Sequence, residues 1–181
     1  LPVSIDVVEK KDISNGQLGL QLSESLIRVP GISSQSRNQL AQDTQISSRG
    51  FGARSAFGVR GLRLYVDGIP LTMPDGIGQP ESVDLNNMKS IEVMRGPFSS
   101  LYGSSSGGII NMISKDPSQS AEISGGILFG SFNTRKENMN TSGSIQGVNY
   151  LIDASSFSTD GYRNHSATDK NQATIKVSTK I

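Results

Sequence analysis

The chain has 181 residues and a formal net charge of +1; 34% of its residues are apolar, 18% are charged and 20 are glycine, a composition lean in core formers and rich in turn formers. It has no Cys and a single His, His165, which excludes disulfides, thiolate metal sites and histidine clusters. The near-balanced charge leaves no basic footprint for nucleic acid, and no apolar run approaches the ~20 residues of a membrane-spanning helix.

The chain opens at Leu1-Pro2 with neither Met nor a signal segment, and reads as a piece of a longer protein. "PVSIDVVEKKDI" predicts a strand with Val3, Ile5 and Val7 on one face. Ser14 and Gln17 have capping-box spacing ahead of Leu18, Leu22, Leu26 and Val29, the stripe of an amphipathic helix that Pro30-Gly31 ends. Ile46 opens a short strand. Arg49, Arg54, Arg60 and Arg63 then follow closely among glycines. Leu62, Leu64 and Val66 alternate into Asp67-Gly68, a hairpin turn signal. "TMPDGIGQP" is a loop, and "DLNNMKS" predicts a helical turn.

Two strand-like segments, "SIEVM" and "IINMIS", bracket the Gly/Ser run "RGPFSSLYGSSSGG". A phosphate-binding loop needs a Lys followed by Ser or Thr, and after Gly103 no Lys comes until Lys115. A dinucleotide loop must open a helix, whereas "IINMIS" reads as a strand. The run is therefore a structural turn. Up to about Lys115 the pattern is that of a small α+β domain.

From residue 121 the period changes to two. Ile123, Gly125, Ile127 and Phe129 share one face of a segment; so do Met139, Thr141, Gly143 and Ile145, and Ala173, Ile175, Val177 and Thr179. "VNYLIDASSF" is a less regular fourth segment. An antiparallel sheet with one wet face has this alternation, and so do the roughly ten-residue strands of an outer-membrane barrel. The Ser, Asn and Gln on the polar face favour the barrel. His165, in "GYRNHS", reads as a loop residue.

"SIEVMRGPFSSLYGSSSGGIINMISKD" resembles the end of the plug domain in TonB-dependent outer-membrane receptors. "LSESLIRVPGI", "SRGF" and "LYVDGIP" match earlier plug motifs in order. The resemblance implies a mainly β protein: a small α+β plug over residues 1–116, then over 117–181 the first strands of a transmembrane antiparallel β-barrel of roughly 22 strands with a plugged lumen. "RGFGARSAFGVRGLRLYVDGIPLTMPDGIGQ", "RGPFSSLYG" and "TDGYRNHS" resemble the YncD-type branch, associated with pyrroloquinoline quinone uptake. Ile77 stands where that branch is expected to carry Gln, a departure that would alter a ligand-facing loop.

The resemblance further implies a receptor and not an enzyme, located in the outer membrane of a Gram-negative bacterium. It implies energy-coupled uptake of a scarce ligand: a ferric siderophore, a similar chelate or a pyrroloquinoline quinone-like cofactor. No resident cofactor is implied, although the ligand itself can carry iron or another metal. The implied partners are outer-membrane lipid, a small-molecule ligand and the TonB–ExbB–ExbD complex, acting through a TonB box upstream of Leu1. A signalling or docking receptor of the same architecture and a soluble β-rich binding module are the alternatives.

Within the plug, Arg49 and Arg95 match the family's "RG" arginines, implied to face acidic residues on the barrel wall; the alternative is exposed solubilising charge. Arg54, Arg60 and Arg63 suit a basic lip for an anionic ligand, with Met73, Asp75 and Gln79 on an apical loop beside it. Against that stands internal ion pairing with Asp43, Asp67 or Asp75. Tyr65 and Tyr102 read as packing aromatics.

Overall fold

The computed structural model describes residues 4–36, 40, 42–96, 102–103 and 105–179. These divide into two compact units, Leu1–Ser114 and Lys115–Ile181.

In the first unit the strands are β1 (Ser4–Glu9), β2 (Ile32–Gln35), β3 (Gln45–Ser48), β4 (Arg63–Val66), β5 (Ile69–Pro70), β6 (Met88–Arg95) and β7 (Ile109–Ser114), with short helices α1 (Lys10–Ser14) and α2 (Leu22–Leu26). The main sheet has the order β1-β6-β7-β4-β5, and β2 pairs with β3 separately. β7 lies antiparallel to β6 and parallel to β4. The alternation read in β4 and the strands read at β6 and β7 meet in one core: Leu64, Ile91, Val93, Ile110 and Met112 are buried together with Ile13, Leu22, Leu26 and Ile46.

Two expectations are corrected here. β1 stops at Glu9, because the polar run after it offers no alternation, and residues Lys10–Ser14 turn into α1 to bury Ile13. Its inward face carries Ser4, Asp6 and Val8, while Ile5 and Val7 are exposed. Val3 lies outside the described residues. The capping box is also displaced. Ser14 Oγ donates back to Lys10 O at 2.9 Å, and Gly16 and Gly19 adopt left-handed φ, so no helix runs from Ser14. The box forms at Gln21 and Glu24, where the Glu24 carboxylate accepts the N–H groups of Gly19, Leu20 and Gln21 at 2.8–3.0 Å. Glu24 thus holds the N-cap N–H of Gln21 and the two N–H groups before it, fixing how the chain enters the helix.

The Asp67-Gly68 hairpin is as expected. Its φ values of 49° and 80° suit a type I′ turn, and Asp67 also accepts from Ser114 N at 2.9 Å and from Ser114 Oγ. The Gly/Ser run joins β6 to β7. Its glycines serve backbone contact: a Cβ on Gly108 (φ +117°) would lie 2.4 Å from Met94 O, and one on Gly107 would lie 2.9 Å from Gly61 O. Pro97–Leu101 and Ser104, part of that run, are outside the described residues.

The second unit is a meander of β8 (Glu122–Gly130), β9 (Thr134–Ile145), β10 (Val148–Thr159) and β11 (Thr168–Thr179), each antiparallel to the next. Register lines up Ile123, Thr141, Ile152 and Ile175 across one face, and beyond them Gly125, Met139, Ala154 and Ala173. This apolar face is the exposed one, with Ile175 at 70% and Ile123 at 75%. The opposite face holds Leu151, buried Asp153 and Phe157, and Asn140 Nδ2 donates to Asp153 Oδ2 at 3.0 Å. A sheet in water hides its apolar side; this one presents it, as a lipid-facing sheet does. No helix among the described residues is long and apolar enough to cross a membrane.

Candidate functional site: an arginine-bearing loop pair

β3 ends in a sharp reversal. Arg49 (φ +48°) and Gly50 (φ +90°) turn the chain, and Ser48 and Phe51 exchange backbone hydrogen bonds of 2.9 and 3.0 Å across the turn. Gly52 closes the loop that follows. A Cβ there would lie 2.6 Å from Arg60 O and 2.9 Å from Ile46 O, so only glycine lets the two ends of the loop touch. Ser55 Oγ donates to Phe57 O and Gly58 O at 2.8 and 2.9 Å, bracing the tip. Arg54, Arg60, Phe51 and Phe57 are left facing solvent. Phe51, Arg54, Ser55 and Arg60 line a shallow cavity of about 470 Å³.

The second loop, residues 72–80, is a tight turn. Met73 N donates to Ile77 O and Gly76 N to Met73 O, at 2.8 and 2.9 Å, while Asp75 Oδ1 accepts from Ile77 N at 2.9 Å. Met73, Asp75 and Gln79 are exposed. Val59 and Gly78 exchange backbone hydrogen bonds of 2.8 Å in both directions. The structure therefore brings Arg54 and Arg60 onto one loop and Met73, Asp75 and Gln79 onto its hydrogen-bonded neighbour.

The arginines divide by environment. Arg49, Arg54 and Arg60 are exposed, and their guanidinium groups meet no carboxylate among the described residues. Pairing with Asp67 or Asp75 is not found, since Asp67 holds Ser114 and Asp75 caps its own turn. Arg63 stands apart on β4. Its Nε is buried without an acceptor among the described residues, and its Nη2 lies 3.2 Å from where a Cβ on Gly103 would be. Arg95 is 7% exposed. It binds Asp6 and Ser4 of β1 and the carbonyl of Pro30, because the register places Ser4 opposite it and Asp6 two residues on. The carboxylate that Arg95 holds among the described residues is thus Asp6 in its own sheet, and Arg49 meets none among them. Tyr65 and Tyr102 pack edge to face at 5.8 Å.

Sequence reasoning missed Asp6 as the partner of Arg95 and the Val59–Gly78 pairing. Neither has a local signal, because both join segments far apart in the chain.

An α+β unit is thus followed by a meander whose apolar face is exposed. The chain belongs to the TonB-dependent receptors: residues 1–109 match the family's TonB-dependent Receptor Plug Domain. It is 34% identical over 148 residues to the pesticin receptor of Yersinia pestis, covering 80% of this chain and 20% of that protein. It is 32% identical over 118 residues to the ferrichrome outer membrane transporter/phage receptor of Escherichia coli K12, covering 65% of this chain and 15% of that protein. Among solved structures, the ferric yersiniabactin uptake receptor FyuA of Yersinia pestis matches with a TM-score of 0.63 and 30% identity, over 87% of this chain and 24% of that one. The siderophore receptor PirA of Pseudomonas aeruginosa shares the fold, with a TM-score of 0.72 at 23% identity over 98% of this chain and 31% of that one. The chain thus spans about a fifth of the curated relatives it matches.

Proposed function

We propose that the complete protein is a non-enzymic outer-membrane transporter that takes up an anionic metal chelate, a ferric siderophore or a close analogue, by TonB-dependent transport. One observation carries the reading: Arg54 and Arg60, which meet no carboxylate among the described residues, line one cavity with exposed Phe51, and exposed Phe57 lies on the same loop. Unpaired guanidinium groups on a braced loop attract carboxylate or phenolate oxygens in pairs, and adjacent aromatic rings suit an aryl-bearing chelate. Met73, Asp75 and Gln79 complete the rim. The relatives named for ferrichrome, ferric yersiniabactin and siderophores support an iron chelate. A pyrroloquinoline quinone-like cofactor is the second reading, supported by the same need for a carboxylated ligand, although Ile77 departs from the branch associated with it.

In this reading residues 1–116 are the plug, and 117–181 begin a barrel whose apolar face meets outer-membrane lipid. TonB–ExbB–ExbD acts through a TonB box outside this stretch, and the metal travels as cargo. The test is uptake of ⁵⁵Fe presented as a panel of ferric catecholate, phenolate, hydroxamate and citrate chelates, with pyrroloquinoline quinone alongside. Cells carrying the full-length receptor should accumulate one anionic member of the panel, and deleting TonB should abolish that accumulation. Uptake unchanged by loss of TonB, or none of any member, would overturn the proposal.

A further inference from the structure

The arginine loop and the Met73–Gln79 loop are layered on the sheet through three glycine-enabled contacts. Gly78 packs on β4: a Cβ there would lie 2.7 Å from Leu64 Cδ1, and Leu64 is fully buried. Leu64 also donates its N–H to Thr72 Oγ1 at 3.0 Å and accepts from Leu71 N at 2.9 Å. The second loop is therefore seated on the middle of the core. The first loop is seated on the second by the reciprocal Val59–Gly78 pair. Gly58 (φ +62°) completes the stack, since a Cβ there would lie 2.4 Å from Ile77 Cγ2 and 3.0 Å from Gly78 O.

Ile77 thus covers Gly58 with its side chain. Its backbone is held as well, by the carbonyl's bond from Met73 N and the N–H donated to Asp75. An amide such as Gln at this position would bring polar groups against a buried glycine and the loop backbone.

We propose that Ile77 is a positioning residue: seated on Gly58, it locks the two loops into one body and fixes the spacing between Arg54 and Arg60 on one side and Met73, Asp75 and Gln79 on the other. This rests on the transport reading above for its ligand, but the lock itself does not. Ile77 selects ligands without touching them, by setting the width of the rim. Its apolar character is then explained by packing within the loop pair. Binding is lost steeply when groups that must converge on one ligand are held loosely.

The test uses the full-length receptor with Ile77→Gly, Ile77→Gln and Ile77→Val. Without ligand, amide hydrogen exchange of Val59 and Gly78 should quicken together by about tenfold in Ile77→Gly, while Ile91 and Ile110 stay protected. With the ferric chelate that the uptake panel identifies, Ile77→Gly should raise the half-saturating concentration about tenfold at unchanged maximal rate. Ile77→Gln should fall between, and Ile77→Val should restore both readouts. Exchange that quickens at Gly78 alone would refute the lock. A loosened lock with unchanged half-saturation would refute the positioning role while leaving the transport reading intact. That reading is overturned separately, by the uptake panel or by arginine-loop variants that bind normally.

Discussion

Arg95→Ala removes three attachments at once: to Asp6, to Ser4 Oγ and to the Pro30 carbonyl. β1 is an edge strand paired only with β6, and Val8 is its one buried apolar side chain. The arginine is therefore its principal side-chain anchor. A charge-assisted bond contributes about 1.5–3 kcal/mol. The Asp6 side chain keeps 31% exposure, so its stranded charge is partly solvated and the full penalty for a buried orphan ion does not apply. The bond to Ser4 Oγ adds about 0.5–1 kcal/mol, whereas the Pro30 carbonyl lies outside β1 and does not hold it closed. The total of about 2–4 kcal/mol corresponds to roughly a 30- to 1,000-fold rise in the opening equilibrium of β1. Hydrogen exchange of the Ser4–Glu9 amides in the full-length receptor measures it, with β8–β11 as internal controls. Arg95→Lys should recover only part, since Lys keeps the charge and loses the fork. Unchanged exchange in Arg95→Ala would refute the anchor and leave Arg95 as a passive buried charge.

Ile175→Arg should impair membrane assembly by about 2–4 kcal/mol, whereas Lys176→Ala, on the other face, removes polar contacts such as those to Lys115 O and Asp116 (3.2 and 3.5 Å) and should impair it less; equal folded yields in outer-membrane fractions would show that the facing is wrong. Gly108→Ala, driving a Cβ to 2.4 Å from Met94 O, should destabilise the plug by at least about 2 kcal/mol, read as a lowered midpoint in thermal unfolding; an unshifted midpoint would contradict the close-approach account. Glu24→Ala strands three backbone donors and should cost about 1–3 kcal/mol, whereas Glu24→Gln, keeping an acceptor, should cost less. Expressed alone, residues 121–181 should need detergent to fold, because both edge strands and the apolar face are open; a monomeric folded sheet in water would count against the barrel.

Local rules carried far where one strand or one turn determined the outcome. Leu64 and Val66 alternated because one side of β4 faces the core, and Asp67-Gly68 could be read as a hairpin because few other pairs tolerate two positive φ values. The barrel-like segments were legible for the same reason: a two-residue period survives over twelve residues. The helix start was misplaced because Ser14-x-x-Gln17 and Gln21-x-x-Glu24 both have box spacing, and only the glycines between them decide. Even there Glu24, an acid three residues after Gln21, was a usable signal. The alternation of β1 placed Ile5 and Val7 on one face but not which face is inward: an edge strand can expose them while Asp6 serves Arg95. The candidate site was legible as a set of exposed loop residues. Its organisation was not, since the Val59–Gly78 pairing and the seat of Ile77 on Gly58 join segments about twenty positions apart that no local pattern connects.

The equilibrium affinity of the full-length receptor for its transported chelate, compared with that of the Arg54→Ser/Arg60→Ser double variant, tests the account most directly. Two charge-assisted contacts of about 1.5–3 kcal/mol each predict at least a 100-fold weaker Kd, with a correspondingly shallower salt dependence. A double variant that binds as tightly as the wild type would contradict the claim that this loop receives an anionic ligand.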